Sequence, residues 1–578
     1  MKRISHRSAV FLVSLVSLAG ILSFSLLFLQ QQAQLSLPDP VPVSALDEWS
    51  IEESVLNGLP LKENKAIYRS DTEGSLDTLF ITVFPTDTPD GTIDFTAFDY
   101  HQALVQDYNP TLEANITYAN PDGELPVLAD KDRVNARIRV RGASERGAAY
   151  KSYRIELTDD RDALRGLKVI NLNKHVFDPG KITNKFSMDL FKQMENMASL
   201  RTNFVHVYIR DKSLPPEQQN YVDYGLYTQV EQPNRTYLES HGLDPDGTLY
   251  KAEYFEFRPE DVLRSMEDPD YDPEAFEHIL SIREADNHEK LLDMLSEINN
   301  INQDFEPAFQ RYFNEENYLT WMAANILLGN YDTVNRNFLL YSPTNSETFY
   351  FLPWDYDKAM NIQGSKNFPR KWLGLQRYTG VLLHRRYFRT PESVSKLTRK
   401  MDELLGSVMS RESVQRLVQT YRPVVSPFLT VMPDLGLLKL PPNEMNGYWD
   451  QFDDEILKNY DIYKQNLELP LPVFAGDPIR SGSMVHFTWE SSYDLQQEKL
   501  TYRLQLARDP QLKQIVFSVS DLIDTSYDYP GDLPDGTYYL ALQIFDTSGH
   551  DQLSLDYYID PDSNVYYYGV RQVKLGGQ

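Results

Sequence analysis

Oxygen-bearing side chains crowd one stretch of the sequence. Asn330-Tyr331-Asp332 is followed by Asn337, the apolar run Phe338 to Tyr341, a second apolar run Thr348 to Leu352, and then Pro353-Trp354-Asp355-Tyr356-Asp357. If the two runs pair as a hairpin, Asp332 and Asn337 enter at one end and Asp355 leaves at that same end. Three oxygen donors, with Asp357 as a fourth, then converge without any long-range contact. Such a set suits a hard cation of the Mg²⁺ type, which prefers carboxylate and carbonyl oxygens. Asp and Asn also flank hairpins simply as turn formers, and that reading stands beside the first.

A basic island lies upstream. Between Arg137 and Arg154 there are six basic residues, Arg137, Arg139, Arg141, Arg146, Lys151 and Arg154, against the single acid Glu145. In Ala136 to Arg141 apolar residues and arginines alternate, so a strand turns the arginines to one face. The loop Gly142 to Gly147 and a second strand from Tyr153 to Leu157 complete a glycine-bearing β-turn-β with Arg and Lys at its mouth. Bidentate arginines and a point-charge lysine there could hold a polyphosphate. The plainer alternative is a solvated strand face. Glu231 ends the strand Gly225 to Val230, as the acidic partner of a phosphate-binding lysine or as an edge-strand charge. His175, His206 and His241 show no metal-ligand spacing and read as ordinary polar residues. The order Asp332-x₄-Asn337, hairpin, Asp355 also matches the parts of a phosphoryl-transfer site.

Composition limits the alternatives. The 578-residue chain has no cysteine, which excludes a disulfide framework, thiolate zinc sites, iron–sulfur clusters and a Cys nucleophile. Lys and Arg number 56 against 84 Asp and Glu, a net charge of −28, which opposes a nucleic-acid partner. Hydrophobic residues at 41% allow sizeable cores. No Gly-x-Ser-x-Gly, His-Glu-x-x-His or Walker loop is present, so serine hydrolase, zincin and P-loop readings lack support.

The elements that must position these residues follow from periodicity. Residues 1–7 carry Lys2, Arg3 and Arg7, and Ser8 to Leu29 is an uncharged run of 22 residues. That length favours an uncleaved signal anchor over a cleaved signal peptide, with a cytoplasmic N-terminus and the bulk of the chain extracytoplasmic, periplasmic or at the cell surface. Residues 30–75 read as a Gln-, Pro- and acid-rich stalk. Residues 76–465 read as an α+β unit with two lobes. Strands are expected at 79–84, 136–141, 153–157, 204–209 and 225–231, a helix at 185–197, mostly helix over 276–328, a hairpin at 337–353, and helix over 392–465. Residues 470–578 alternate strictly (Val485/Phe487/Trp489, Tyr538/Leu540/Leu542/Ile544) and predict an all-β sandwich that resembles a fibronectin type III module.

Ile138 to Arg146, Lys151 to Leu157, Tyr224 to Glu231, Leu249-Tyr-Lys251, Asp332 to Tyr341 and Phe351 to Asp357 resemble, in order, the CotH kinase family of atypical protein kinases. The resemblance covers about residues 76–400 and implies a two-lobed protein-kinase-like unit using ATP with Mg²⁺ (or Mn²⁺) on Ser or Thr of a protein. It implies Asp332 as the catalytic Asp, and Asp355 and Asn337, with Asp357, as metal ligands. It also implies Arg141, Ser144, Arg146, Lys151, Arg154 and Glu231 around the nucleotide, with Lys251 as a substitute for Lys151. The chain then reads as a membrane-anchored kinase acting on envelope or coat proteins. Two other readings are a non-catalytic envelope scaffold or adhesin and, more weakly, a glycosidase using Asp332 and Asp355; the arginine island has no task on a neutral sugar.

Overall fold

The computed structural model describes residues 58–89, 91–100, 109–119, 133–142, 144–158, 166–360 and 368–576. The anchor expected at 8–29 lies outside them, as does the stalk up to residue 57. Among the described residues no helix is long and apolar enough to cross a membrane.

Alternating burial closes the first lobe into a barrel. Strands β1 (Leu76–Val83), β2 (Leu112–Ala119), β3 (Ala136–Arg141), β4 (Ser152–Leu157), β5 (Val169–Asn173), β6 (Thr202–Asp211) and β7 (Val222–Glu231) follow the order β1-β2-β3-β4-β5-β7-β6, and β6 returns to β1 as the one parallel pair. In β3 the residues Ala136, Ile138 and Val140 enter the barrel core beside Ile81, Ile155 and Val207, so Arg137, Arg139 and Arg141 face outward. Between β5 and β6 runs helix α1 (Thr183–Phe191), shorter than the expected 185–197 although Met194 and Met197 remain buried beyond it.

The second lobe has its own core. Strands β8 (Thr248–Ala252), β9 (Leu280–Glu284), β10 (Phe338–Ser342) and β11 (Tyr350–Pro353) form an antiparallel sheet in the order β9-β8-β10-β11. β9 interrupts the mostly helical stretch expected over 276–328, because Leu280 to Glu284 pairs with β8. Helix α2 (Glu315–Leu328) is buried nearly all round and lies under this sheet. Asn317 of α2 caps the edge of β11: its side chain accepts from Phe351 N at 2.8 Å and donates to Phe351 O at 3.1 Å. Helices Pro391–Leu405, Arg411–Val425 and Phe452–Asn466 complete the lobe.

Residues 58–75, expected as the end of a stalk, are instead strapped onto the folded unit. Gly58 N donates to Thr348 Oγ1 at 2.7 Å, Lys65 Nζ donates to the carbonyls of Lys192, Met194 and Met197, and Asp71 pairs with Arg201 at 3.0 Å. A polar segment read as linker thus finds its partners far away in sequence. The C-terminal region forms antiparallel sheets of three and five strands over a shared core that includes Phe487, Leu504, Leu540 and Val573, with a separate two-stranded pair, Tyr557–Ile559 with Tyr566–Tyr568. It meets the second lobe through Glu490 with Arg385 and Arg258, and through Lys371 with Asp551 at 2.5 Å.

Candidate active site

One helix positions both acidic ends of the hairpin. α2 stops at Gly329, whose φ of 61° supplies the left-handed cap, and the chain turns directly into Tyr331–Thr333, which carries Asp332. Tyr378 Oη and Thr333 Oγ1 both donate to Asn330 O, fixing that turn. The same α2 holds β11 through Asn317, and β11 delivers Asp355. Phe338 pairs with Pro353, so Asn337 and Asp355 emerge at one end of the hairpin. Both adopt left-handed backbone, at φ 55° and 60°, a conformation Asn and Asp tolerate better than other non-glycine residues.

These residues open onto a cavity of about 990 Å³ between the lobes, whose walls include Asp332, Asn337, Asp355, Asp357, Arg141 and Arg146. Asn337 Nδ2 donates to Asp332 Oδ2 at 2.8 Å, and Asp332 also pairs with Arg336 at 3.3 Å and Lys358 at 3.4 Å. Tyr356 N donates to Asn184 Oδ1 of α1 at 3.0 Å, pinning the backbone between Asp355 and Asp357. Desolvation pushes the Asp355 carboxyl above its ordinary range and Asp332 adds to it, while Lys251, Arg141 and Lys358 oppose. Asp357 is pushed well above the usual range by burial and by the nearby Asp355, Glu145 and Asp178. Enclosed carboxylates that destabilise one another in this way are relieved by a divalent cation. Asp355, Asn337 and Asp332 offer the oxygen donors that Mg²⁺ or Mn²⁺ requires, so the residues fit such an ion.

Fewer residues of the basic island reach the cavity than the sequence suggests. Arg141, the last residue of β3, reaches the cavity; burial draws its pKa down to about 10 against the pull of Asp355 and Glu145, so it stays charged at neutral pH. Arg146 also lines the wall, with Nε donating to Gly142 O at 3.0 Å. The Ser144 side chain lies outside the described residues.

Three expected nucleotide contacts are elsewhere. Lys151 is buried with Nζ donating to the carbonyls of Arg146 at 2.6 Å and Ala148 at 3.3 Å; it staples the turn and does not line the cavity. Lys251 does line it, beside Glu253 at 2.7 Å, and is the cation that most opposes the upward shift of Asp355. Arg154 is likewise absent from the cavity wall. It donates to Glu156 at 2.7 Å and Gln232 at 3.0 Å on the barrel's outer face, because two residues along a strand move a side chain about 6–7 Å. Glu231 is buried away from the cleft, accepting from Arg201 N at 3.0 Å and facing His241 Nε2 at 2.9 Å. Glu145, His175, Arg283 and Lys358 also line the cavity; none has a local motif, and in the sequence Glu145 stands only as the island's single acid and His175 only as an ordinary polar residue.

The "CotH kinase protein" family model matches residues 138–436, just over half of the chain. The inner spore coat protein H of Bacillus subtilis (strain 168) is 24% identical over 324 residues, spanning 54% of this chain and 83% of that protein. Among solved structures, the Helicobacter pylori proinflammatory kinase CtkA aligns at 9% identity and a TM-score of 0.22, over 55% of this chain and 94% of that one. The HipA–HipB toxin–antitoxin complex with operator DNA from Shewanella oneidensis MR-1 aligns at 10% identity and a TM-score of 0.22, over 62% of this chain and 64% of that one. Superpositions at that level carry no weight, and the assignment rests on sequence. With its family match running from the arginine strand through the Asp332–Asp355 hairpin, the chain belongs to the CotH kinase family.

Proposed function

We propose that this protein is an atypical kinase that transfers the γ-phosphoryl group of ATP to a Ser or Thr hydroxyl of a protein. The observation that carries the reading is the meeting of Asp332, Asn337 and Asp355 with Arg141 in one cavity between the lobes. Asp332 accepts the proton of the acceptor hydroxyl as its oxygen bonds to the γ-phosphorus and the bond to the ADP oxygen breaks. Asn337 orients Asp332 through its amide and keeps its own carbonyl oxygen for an ion. A Mg²⁺ or Mn²⁺ ion at Asp355 and Asn337 would supply charge neutralisation on the phosphates. Arg141 and Lys251 add fixed positive charge where negative charge builds. The cavity wall carries seven carboxylates, Glu145, Glu253, Glu274, Glu277, Asp332, Asp355 and Asp357, against six Lys and Arg side chains. Asp332 and Asp355 crowd a bare triphosphate there, so this lining favours nucleotide that arrives with divalent cations.

The apolar run 8–29 and the positive charges before it support a single-pass anchor with the bulk of the chain outside the cytoplasm. The acceptor is then an envelope or coat protein, in keeping with the name of the B. subtilis relative. Thermal-shift titration of the full chain tests the nucleotide site. Stabilisation that needs ATP together with Mg²⁺ or Mn²⁺, and that vanishes in Asp355→Ala, is the expected result. Stabilisation by neither refutes the kinase reading and leaves an envelope scaffold.

A further inference from the structure

A second set of donors sits on the wall of the same cavity. Glu145 lies in the turn after β3, His175 just past β5 and Asp357 beyond β11, and one ligand atom from each lies within 4.8 Å of the others. Two of these side chains carry an atom with no hydrogen-bond partner. Nε2 of His175, a residue only 3% exposed, and Oε1 of Glu145 are both buried and unsatisfied. Buried polar atoms are normally paired, and leaving one empty forfeits its hydration without return. The orphan oxygen is also held in place, because the other oxygen of Glu145 accepts from Ser152 Oγ. His175 is fixed too: its carbonyl accepts from Lys181 Nζ at 2.8 Å and its backbone sits at a left-handed φ of 50°. A non-glycine residue held there marks a position that its surroundings dictate.

We infer that Glu145, His175 and Asp357 bind one divalent transition-metal ion of the Zn²⁺ or Mn²⁺ class, distinct from the oxygen-only pair of Asp355 and Asn337. The imidazole nitrogen is the discriminating donor. Mg²⁺ takes oxygen ligands, whereas one histidine with two carboxylates is a common transition-metal set that leaves a position for water or substrate oxygen. A tetrahedral ion at about 2.0–2.2 Å from its ligands sets them about 3.3–3.6 Å apart, inside the 4.8 Å within which the three ligand atoms lie. Glu145 and His175 belong to the barrel and Asp357 to the second lobe, so the ion ties the two lobes together across the cleft. The inference rests on the proposed function only in that it takes Asp357 away from the Asp355 ion.

The test is calorimetric titration of the untagged, nucleotide-free full chain with ZnCl₂, MnCl₂ and MgCl₂. One Zn²⁺ per chain, bound at least a hundredfold tighter than Mg²⁺ and weakened at least tenfold in His175→Gln and in Glu145→Gln, is the expected result. Should one variant fail to fold, the other carries the comparison. Pulsed electron paramagnetic resonance of the Mn²⁺-loaded chain gives an independent readout: a ¹⁴N coupling that His175→Gln removes. Zn²⁺ affinity unchanged in both variants, or no ¹⁴N coupling, overturns the inference. Labelling by γ-³²P-ATP with Mg²⁺, measured on the same preparations, separates the two readings. Labelling without Zn²⁺ binding refutes the transition-metal site alone. Histidine-dependent Zn²⁺ binding without labelling refutes the kinase and sustains the site.

Discussion

Asn337 Nδ2 donates to Asp332 Oδ2 at 2.8 Å, so the residue that begins the hairpin orients the acid that precedes it. Replacing Asp332 by Asn removes the proton acceptor while keeping the shape. We expect phosphoryl labelling to fall by about a hundredfold or more. The melting temperature should barely move, because the pairs of Asp332 with Arg336 and Lys358 involve exposed partners and contribute only about 0–1 kcal/mol each. Labelling at the wild-type rate would falsify the assignment.

Arg141 and Arg139 stand two residues apart on one strand face, yet only Arg141 lines the cavity. Arg141→Ala should weaken ATP binding about tenfold, the scale of one charge-assisted hydrogen bond. Arg139→Ala, whose partner is Glu156 at 3.9 Å, should leave the affinity within about twofold. Equal losses in the two variants, read by equilibrium binding of a fluorescent ATP analogue, would return the whole island to the nucleotide site.

Lys151→Met should behave as a stability variant. It removes the Lys151 donor from the carbonyls of Arg146 and Ala148, a loss of about 1–3 kcal/mol. Denaturant midpoints should drop while ATP affinity holds; the reverse pattern would make Lys151 a phosphate ligand after all.

A pH signature comes from His241, enclosed between Glu63 at 2.6 Å and Glu231 at 2.9 Å. Burial alone would lower its pKa, but the two carboxylates outweigh it and raise it to about 9. A raised folded-state value means the stabilisation is complete below about 6.5 and is lost as pH rises through about 9. The span corresponds to about 3 kcal/mol. Lys174 works in the opposite sense: burial draws its pKa down to about 8 despite Asp434, so its contribution improves as pH rises above that value. The readout is therefore the difference in stability between wild type and His241→Gln, which should shrink between pH 7 and pH 10. A constant difference would mean that His241 is neutral in the folded protein.

Short-range pairing explains why so much of the site can be read from the chain itself. Asp332, Asn337 and Asp355 converge because Phe338 pairs with Pro353 in a local hairpin, and alternation in β3 already separates apolar residues from arginines. Period-two patterns likewise announce five of the seven barrel strands and three of the eight strands in the two C-terminal sheets. Other features depend on closure across long separations. Alternation tells which face an arginine occupies but not where along the strand the cleft begins, so Arg141 and Arg154 look equivalent until the barrel closes. Lys151 turns to nearby carbonyls instead of the cavity, Glu231 meets His241 and lies in one cluster with Glu63, and residues 58–75 dock on segments over a hundred positions away. Glu145, His175 and Asp357 come from three separate segments of the chain. No periodicity or spacing encodes their meeting, because the packing of one lobe against the other creates it.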